Sequence, residues 1–212
     1  MTRAKAGWIA GAAAAALVAA GAITYAVAED GGSGVKPPAA DSADSADAGF
    51  ARDMAVHHQQ AVEMSYIVRD RTDDEDVRRL AYDIAQTQAN QRGMLLGWLD
   101  LWGLPKVSAN PPMTWMGMGS MPPGEDGALM PGMATNAELE KLGELEGRQA
   151  EVLFLQLMTE HHKGGVHMAE GCVDRCGVGV ERQLARGMVE GQQSEMALMA
   201  DMLEERGAKP RP

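Results

Sequence analysis

Two pairs of adjacent histidines, His57-His58 and His161-His162, carry methionines at matching distances on either side. Imidazole with thioether is a ligand set for a soft or borderline metal ion. Four of the chain's five histidines lie in these pairs. The pairs belong to a longer repeat with an offset of 104 residues: Phe50, Met54, His57-His58, Val62 and Met64 recur as Phe154, Met158, His161-His162, Val166 and Met168. Downstream, Leu80-Ala81 matches Leu184-Ala185, Gln88 matches Gln192, and Leu99 matches Leu203. A duplicated unit that keeps its histidines and methionines while the rest diverges points to a metal site.

The spacing puts these donors on one side of a helix. At 3.6 residues per turn, Met54, His57, His58, Ala61 and Met64 fall within roughly a 120° arc. Met158, His161, His162, Gly165 and Met168 repeat the arc, with Ala61 and Gly165 leaving room for a facing backbone or an ion. Thioether sulfur does little for Mg²⁺, Ca²⁺ or Zn²⁺ but is a good Cu(I) ligand, and imidazole serves both copper states. Copper is therefore the expected ion, Cu(I) ahead of Cu(II), with zinc and iron behind. His167, which replaces Glu63 of the first copy and points away from the arc, is an auxiliary candidate. So are Met113, Met116, Met118 and Met121, in a Pro/Gly-rich stretch that reads either as plain coil or as a copper-collecting tract. Met94, Met188, Met196, Met199 and Met202 read as core filler.

Four helices must hold the arcs: about Ala48–Arg69, Asp74–Trp102, a third capped by Thr135 and running to about Gly171, and about Val178–Arg206. Nothing in residues 48–206 alternates with the period of two that strands need. Gly103-Leu104-Pro105 stops the second helix, and a long link separates the hairpins of residues 48–104 and 134–206. The expected fold is all-α: a ferritin-like four-helix bundle made from a duplicated hairpin, with residues 105–133 as its crossover.

Ahead of the bundle, Arg3 and Lys5 precede an apolar run from Ala6 to Ala28 that ends in the acceptable cleavage site Ala26-Val27-Ala28. Residues 1–28 read as a membrane anchor or a signal peptide, which puts the rest outside the cytoplasmic membrane. Residues 29–47 read as a flexible tether. In that compartment Cys172 and Cys176, spaced C-x3-C, read as a local disulfide, with a soft-metal site or free thiols as the other options. A net charge of -11 and a pI near 4.9 argue against a nucleic-acid partner. The expected partners are the copper ion, other copper-handling proteins, the membrane if the first segment is uncleaved, and a second copy of the chain if it oligomerises.

No enzyme signature stands out: there is no nucleophile beside a base pattern and no phosphate loop. A dimetal oxidase would need Glu-x-x-His on two helices, but Lys163 follows Glu160 and Val56 follows Asp53 at that spacing. A metal-free structural or interaction domain is the remaining alternative.

The paired F-x3-M-x2-H-H-x2-A/G-V-x-M segments, the Met130-Pro131-Gly132-Met133 run and the Leu-Ala…Gln second helices resemble the DUF305 family over about residues 48–205. That resemblance implies a ferritin-like four-helix bundle, an extracytoplasmic location and copper binding through these histidines and methionines. Ala150-Glu151 stand where family members often carry Phe-Asp. If that acid orients a ligating imidazole, Glu151 must do so with a longer reach.

Overall fold

The computed structural model describes residues 39–119 and 126–211. The apolar segment 1–28, the first part of the tether and Met121 lie outside the described residues. Among the described residues, no helix is long and apolar enough to cross a membrane.

The described chain is all-helical: α1 Ala46–Arg69, α2 Glu75–Trp102, a 3-10 turn Thr114–Met116, α3 Asn136–Glu144, α4 Gly147–Arg175 and α5 Gly179–Glu205. Local chemistry sets the ends. The Ser45 hydroxyl accepts from the Ala48 N–H, and Asp74 accepts from the Val77 N–H. Thr135 and Glu138 form a reciprocal capping box on α3. Gly103 ends α2 at φ 68°, a conformation that favours glycine.

The third helix departs from the sequence reading, which made one helix from Thr135 to about Gly171. The chain instead breaks at Leu145-Glu146, and α4 continues four residues past Gly171 to Arg175. Gly147 takes φ 51° and donates its N–H to the Arg71 carbonyl at 2.7 Å, so it is drawn out of the α3 hydrogen-bond ladder. Arg71 also pairs with Glu146 at 2.9 Å. The tether is shorter than expected as well, because α1 begins at Ala46.

α1 packs on α2, α4 packs on α5, and the two pairs join through α1 against α4. The repeat is an approximate twofold. Asp47, at the start of α1, accepts the N–H groups of Gly177 and Val178 in the opposite hairpin's turn, at 3.1 and 2.7 Å. Its counterpart Glu151, at the start of α4, accepts from Thr72 in the first hairpin's turn at 2.6 Å and from Arg206 at 2.7 Å. Each long helix thereby ties its own beginning to the other hairpin's loop.

α1 and α4 run antiparallel, so the apolar core divides into two clusters. Met64, Val68, Phe154 and Met158 belong to one, with Ile84, Leu142, Met199 and Leu203. Phe50, Met54, Met168 and Cys172 belong to the other, with Leu95, Leu99, Met113, Met130, Ala185 and Met188. The histidine pairs sit on α1 and α4 between the residues of these clusters, as a polar waist in an apolar bundle.

Candidate metal centre

All four paired histidines are 0% exposed. A buried polar group without a partner is costly, so the partners of each ring nitrogen decide what the waist can do. His58 Nε2 lies 2.9 Å from Gln91 Oε1, and His162 Nε2 lies 2.6 Å from Glu195 Oε2. Gln91 and Glu195 are themselves repeat counterparts, on α2 and α5. His161 Nε2 lies 3.0 Å from the His57 carbonyl, an acceptor that requires the ring nitrogen to donate. Three imidazoles are thus fixed with the proton on Nε2 and the lone pair on Nδ1. Those three Nδ1 atoms, and both ring nitrogens of His57, are buried without a hydrogen-bond partner.

His57, His58 and His161 are also held neutral. Burial, together with His162 nearby, pushes His57 down to about 3 against a weak upward pull from the Pro131 carbonyl. Burial and then His57 push His58 down to about 3, opposed by its bond to Gln91. His161 falls well below the usual histidine value, through burial first and then the neighbouring histidines. A neutral imidazole that donates Nε2–H to a carbonyl or carboxylate and leaves Nδ1 bare is oriented for a metal, the partner fixing both tautomer and ring direction. On the chemistry of its donors the waist fits a metal ion.

The sequence-predicted methionines lie on the same two helices, in the apolar clusters on either side of the histidines. Met54, Met64, Met158 and Met168 are each fully buried. The His57 and His161 rings face each other with centroids 3.7 Å apart and planes 30° apart. Among the described residues, the only three donors of the His, Cys, Asp and Glu types within 4.8 Å of one another are Cys172, Cys176 and Glu181. The four imidazoles therefore do not converge on one point. At most two of them can share one ion in this geometry. The Cys172–Cys176 pair is a disulfide, formed where the backbone leaves the helix at Cys176, so its sulfurs are not thiolate ligands.

Other expectations come out differently. The room at Gly165 is not open to an ion: a Cβ there would lie 2.4 Å from Gln192 Oε1, so the α5 side chain fills it. Glu151 bonds Thr72 and Arg206 instead of an imidazole and acts in the fold. His167 is exposed, apart from the buried arc. Met113 is buried in the Phe50 cluster, while Met116 and Met118 pack partly buried against it. Met121 lies outside the described residues.

The crossover is anchored on α1, not loose. Asp53 accepts the Met113 N–H at 2.7 Å and the Trp115 indole N–H at 2.9 Å. The Gln60 amide bonds both backbone groups of Ala134, at 2.9 and 2.7 Å. Three residues missed by sequence reasoning thus stand near the waist: Gln91, Glu195 and Met130. Applying the repeat offset to the second helices pairs the first two; Met130 carries no such signal.

Comparison with known proteins bears on the family and the fold. The family described as a domain of unknown function, DUF305, matches residues 47–203. A DUF305 protein from Streptomyces coelicolor, provisionally designated as secreted, is 76% identical; the match covers 81% of this chain and 99% of that one, with a TM-score of 0.75. A DUF305 fragment from Deinococcus radiodurans is 31% identical, covering 80% and 99%, with a TM-score of 0.63. CopM in its Cu(I)-bound form is 18% identical, covering 75% and 96%, and its TM-score of 0.57 shows a shared fold. No curated protein matches the chain significantly.

Proposed function

This chain belongs to the DUF305 family, and we propose that it is a copper-binding protein that sequesters or hands on copper outside the cytoplasmic membrane. The observation that carries the reading is the set of unpartnered Nδ1 atoms in four fully buried histidines, three of them with Nε2 engaged. In a metal-free role these lone pairs are an uncompensated cost at the centre of the fold. His57, His58, His161 and His162 would supply nitrogen, and Met54, Met64, Met158 and Met168 would supply sulfur. Mixed imidazole and thioether donors favour Cu(I) over Cu(II) and disfavour zinc and iron.

Solved Cu(I)- and Cu(II)-bound forms of CopM, a fold relative, support copper as the ion. The designation of the Streptomyces coelicolor relative supports an extracytoplasmic place, and residues 1–28 would provide the export signal or anchor. The role in this reading is binding rather than catalysis.

The test is a competition titration of the chain with Cu(I) against a chromophoric chelator, beside His57→Ala/His161→Ala and His58→Ala/His162→Ala variants. The wild type should withdraw Cu(I) from the chelator and both variants should do so poorly. Equal withdrawal by all three would end the histidine assignment.

A further inference from the structure

Ligands with no exposed surface need a route by which the ion reaches them. The approximate twofold supplies an internal comparison, because each apolar cluster is closed by a different cover. Over the Phe154 cluster lies α3 with the break that follows it, contributing Leu139, Leu142 and Leu145. Over the Phe50 cluster lies the crossover, which contributes Met113, Met116, Met118, Met130 and Met133 with Trp115. The two covers do the same packing job. Leucine suffices for one, so burial alone does not call for sulfur in the other.

The methionine cover also has seats cut for it. A Cβ at Gly49 would lie 2.5 Å from the Trp115 side chain, and one at Gly171 would lie 2.8 Å from Met116 Sδ. The repeat counterparts of these glycines are Leu153 and Ile67, which pack on the other cluster. Further along, Gly164 meets the Pro131 carbonyl at 2.0 Å from its would-be Cβ. Gly164 is the counterpart of Gln60, the residue that grips Ala134. The Met130–Ala134 run therefore crosses α1 and α4 at equivalent positions, two to three residues from the histidine pairs. Met130 is 5% exposed there, one residue before Pro131, whose carbonyl lies against Gly164. His57 is the one imidazole of the four with both nitrogens unpartnered.

We propose that the crossover is the port of the copper site, passing Cu(I) by thioether exchange from Met116 and Met118 inward, with Met130 as the crossover's own ligand beside His57. This rests on the copper reading above and adds a route and a residue to it. Each step exchanges one neutral sulfur donor for another at Cu(I), with no electron transferred and no proton released. Thioethers suit such a path because they bind Cu(I) without protonation and without forming disulfides.

The test uses the full chain and Cu(I) presented as a chromophoric chelator complex, with transfer followed by absorbance. Leu and Met are close in volume, so Met116→Leu/Met118→Leu/Met130→Leu should fold with nearly unchanged helix content and Tm. It should load about ten-fold more slowly or worse, at the low end of what losing a supporting group costs at a metal site. Met199→Leu/Met202→Leu, in the leucine-covered cluster, should load like the wild type. X-ray absorption of Met130→Leu should show fewer sulfur neighbours at copper than the wild type, a reading that stands if the triple variant folds poorly. If wild type and Met130→Leu show the same sulfur count and the triple variant loads at the wild-type rate, the port is overturned while the histidine site survives. If the wild type itself takes up no copper, both readings fall.

Discussion

The imidazole rings of His57 and His161 lie face to face across the approximate twofold, centroids 3.7 Å apart, and the carbonyl of His57 accepts the Nε2 proton of His161. Two ionisable rings in that contact cannot both be charged, and with no exposed surface neither is favoured as a cation. The neutral state that the packing imposes is the state in which imidazole binds metal. One arrangement thus accounts for the burial, the low proton affinity and the bare lone pairs.

Acid should unfold the copper-free protein early. His57 and His58 titrate near 3 when folded against 6.5 in an ordinary setting. Between those values the unfolded chain binds more protons, so the stabilisation from neutral burial is complete above about 6.5 and is lost as pH falls toward 3. Thermal melts of the copper-free chain should show Tm dropping steadily below pH 6.5. A Tm that is flat from pH 7 to 4 would contradict the burial of neutral rings.

The supporting groups on α2 and α5 should matter for affinity. Removing the acceptor that orients His162, by Glu195→Ala, should weaken Cu(I) binding by about 10- to 100-fold, the usual cost of losing such a partner. Glu195→Gln, which keeps an acceptor as Gln91 does in the other copy, should retain most of it. The competition titration separates the two, and equal affinity in Glu195→Ala and the wild type would show that the orienting bond does nothing for copper.

A different buried acid should be a stability cost. Glu181 has no exposed surface, stands where the first hairpin has Val77, and is pushed up to about 9 by burial and then by Asp47. A carboxyl raised in the folded state favours the fold at low pH, and that contribution fades as pH rises from about 4.5 through 9. Glu181→Val should therefore raise Tm, with the gain growing from pH 5 to pH 9. A variant with lowered Tm throughout would show that the acid holds Asp47 and the hairpin turn in place.

The crossover's seat on α4 should be sensitive to one methyl group. Gly164→Ala puts a carbon against the Pro131 carbonyl, so the Met130–Met133 run must lift from α4. Hydrogen exchange at residues 130–134 should speed up while α2 and α5 keep their protection. Unchanged exchange in that segment would mean the contact is not what holds the crossover down.

Much of this was legible in the sequence because the chemistry repeats. The His-His and Met positions fall on one helical arc, and duplication separates the repeated methionines from unrepeated ones such as Met199 and Met202, although the fold buries both kinds in the same apolar clusters. The hairpins followed from apolar spacing and from caps at Asp74, Gly103 and Thr135. The break before Gly147 was hidden, because its N–H is drawn away by Arg71, a residue far off in the sequence. Glu151 misled for a similar reason: its partners, Thr72 and Arg206, come from two other elements. Gln91 and Glu195 look like ordinary polar helix residues until the fold sets them against His58 and His162. Met130 sits in a Pro/Gly-rich stretch whose composition gives no sign that it docks on the bundle.

The central claim is that the buried waist binds Cu(I) through imidazole nitrogen and thioether sulfur, and X-ray absorption on Cu(I)-loaded protein tests it most directly. The predicted spectrum has both nitrogen and sulfur neighbours at copper, with the nitrogen signal weakened in His57→Ala/His161→Ala and lost when His58 and His162 are changed to Ala as well, and with Tm raised by the metal in the wild type; saturation at about 100 times Kd stabilises a fold by about 2.7 kcal/mol. A copper shell unchanged by the histidine substitutions, or an unchanged Tm in excess Cu(I), would contradict the account.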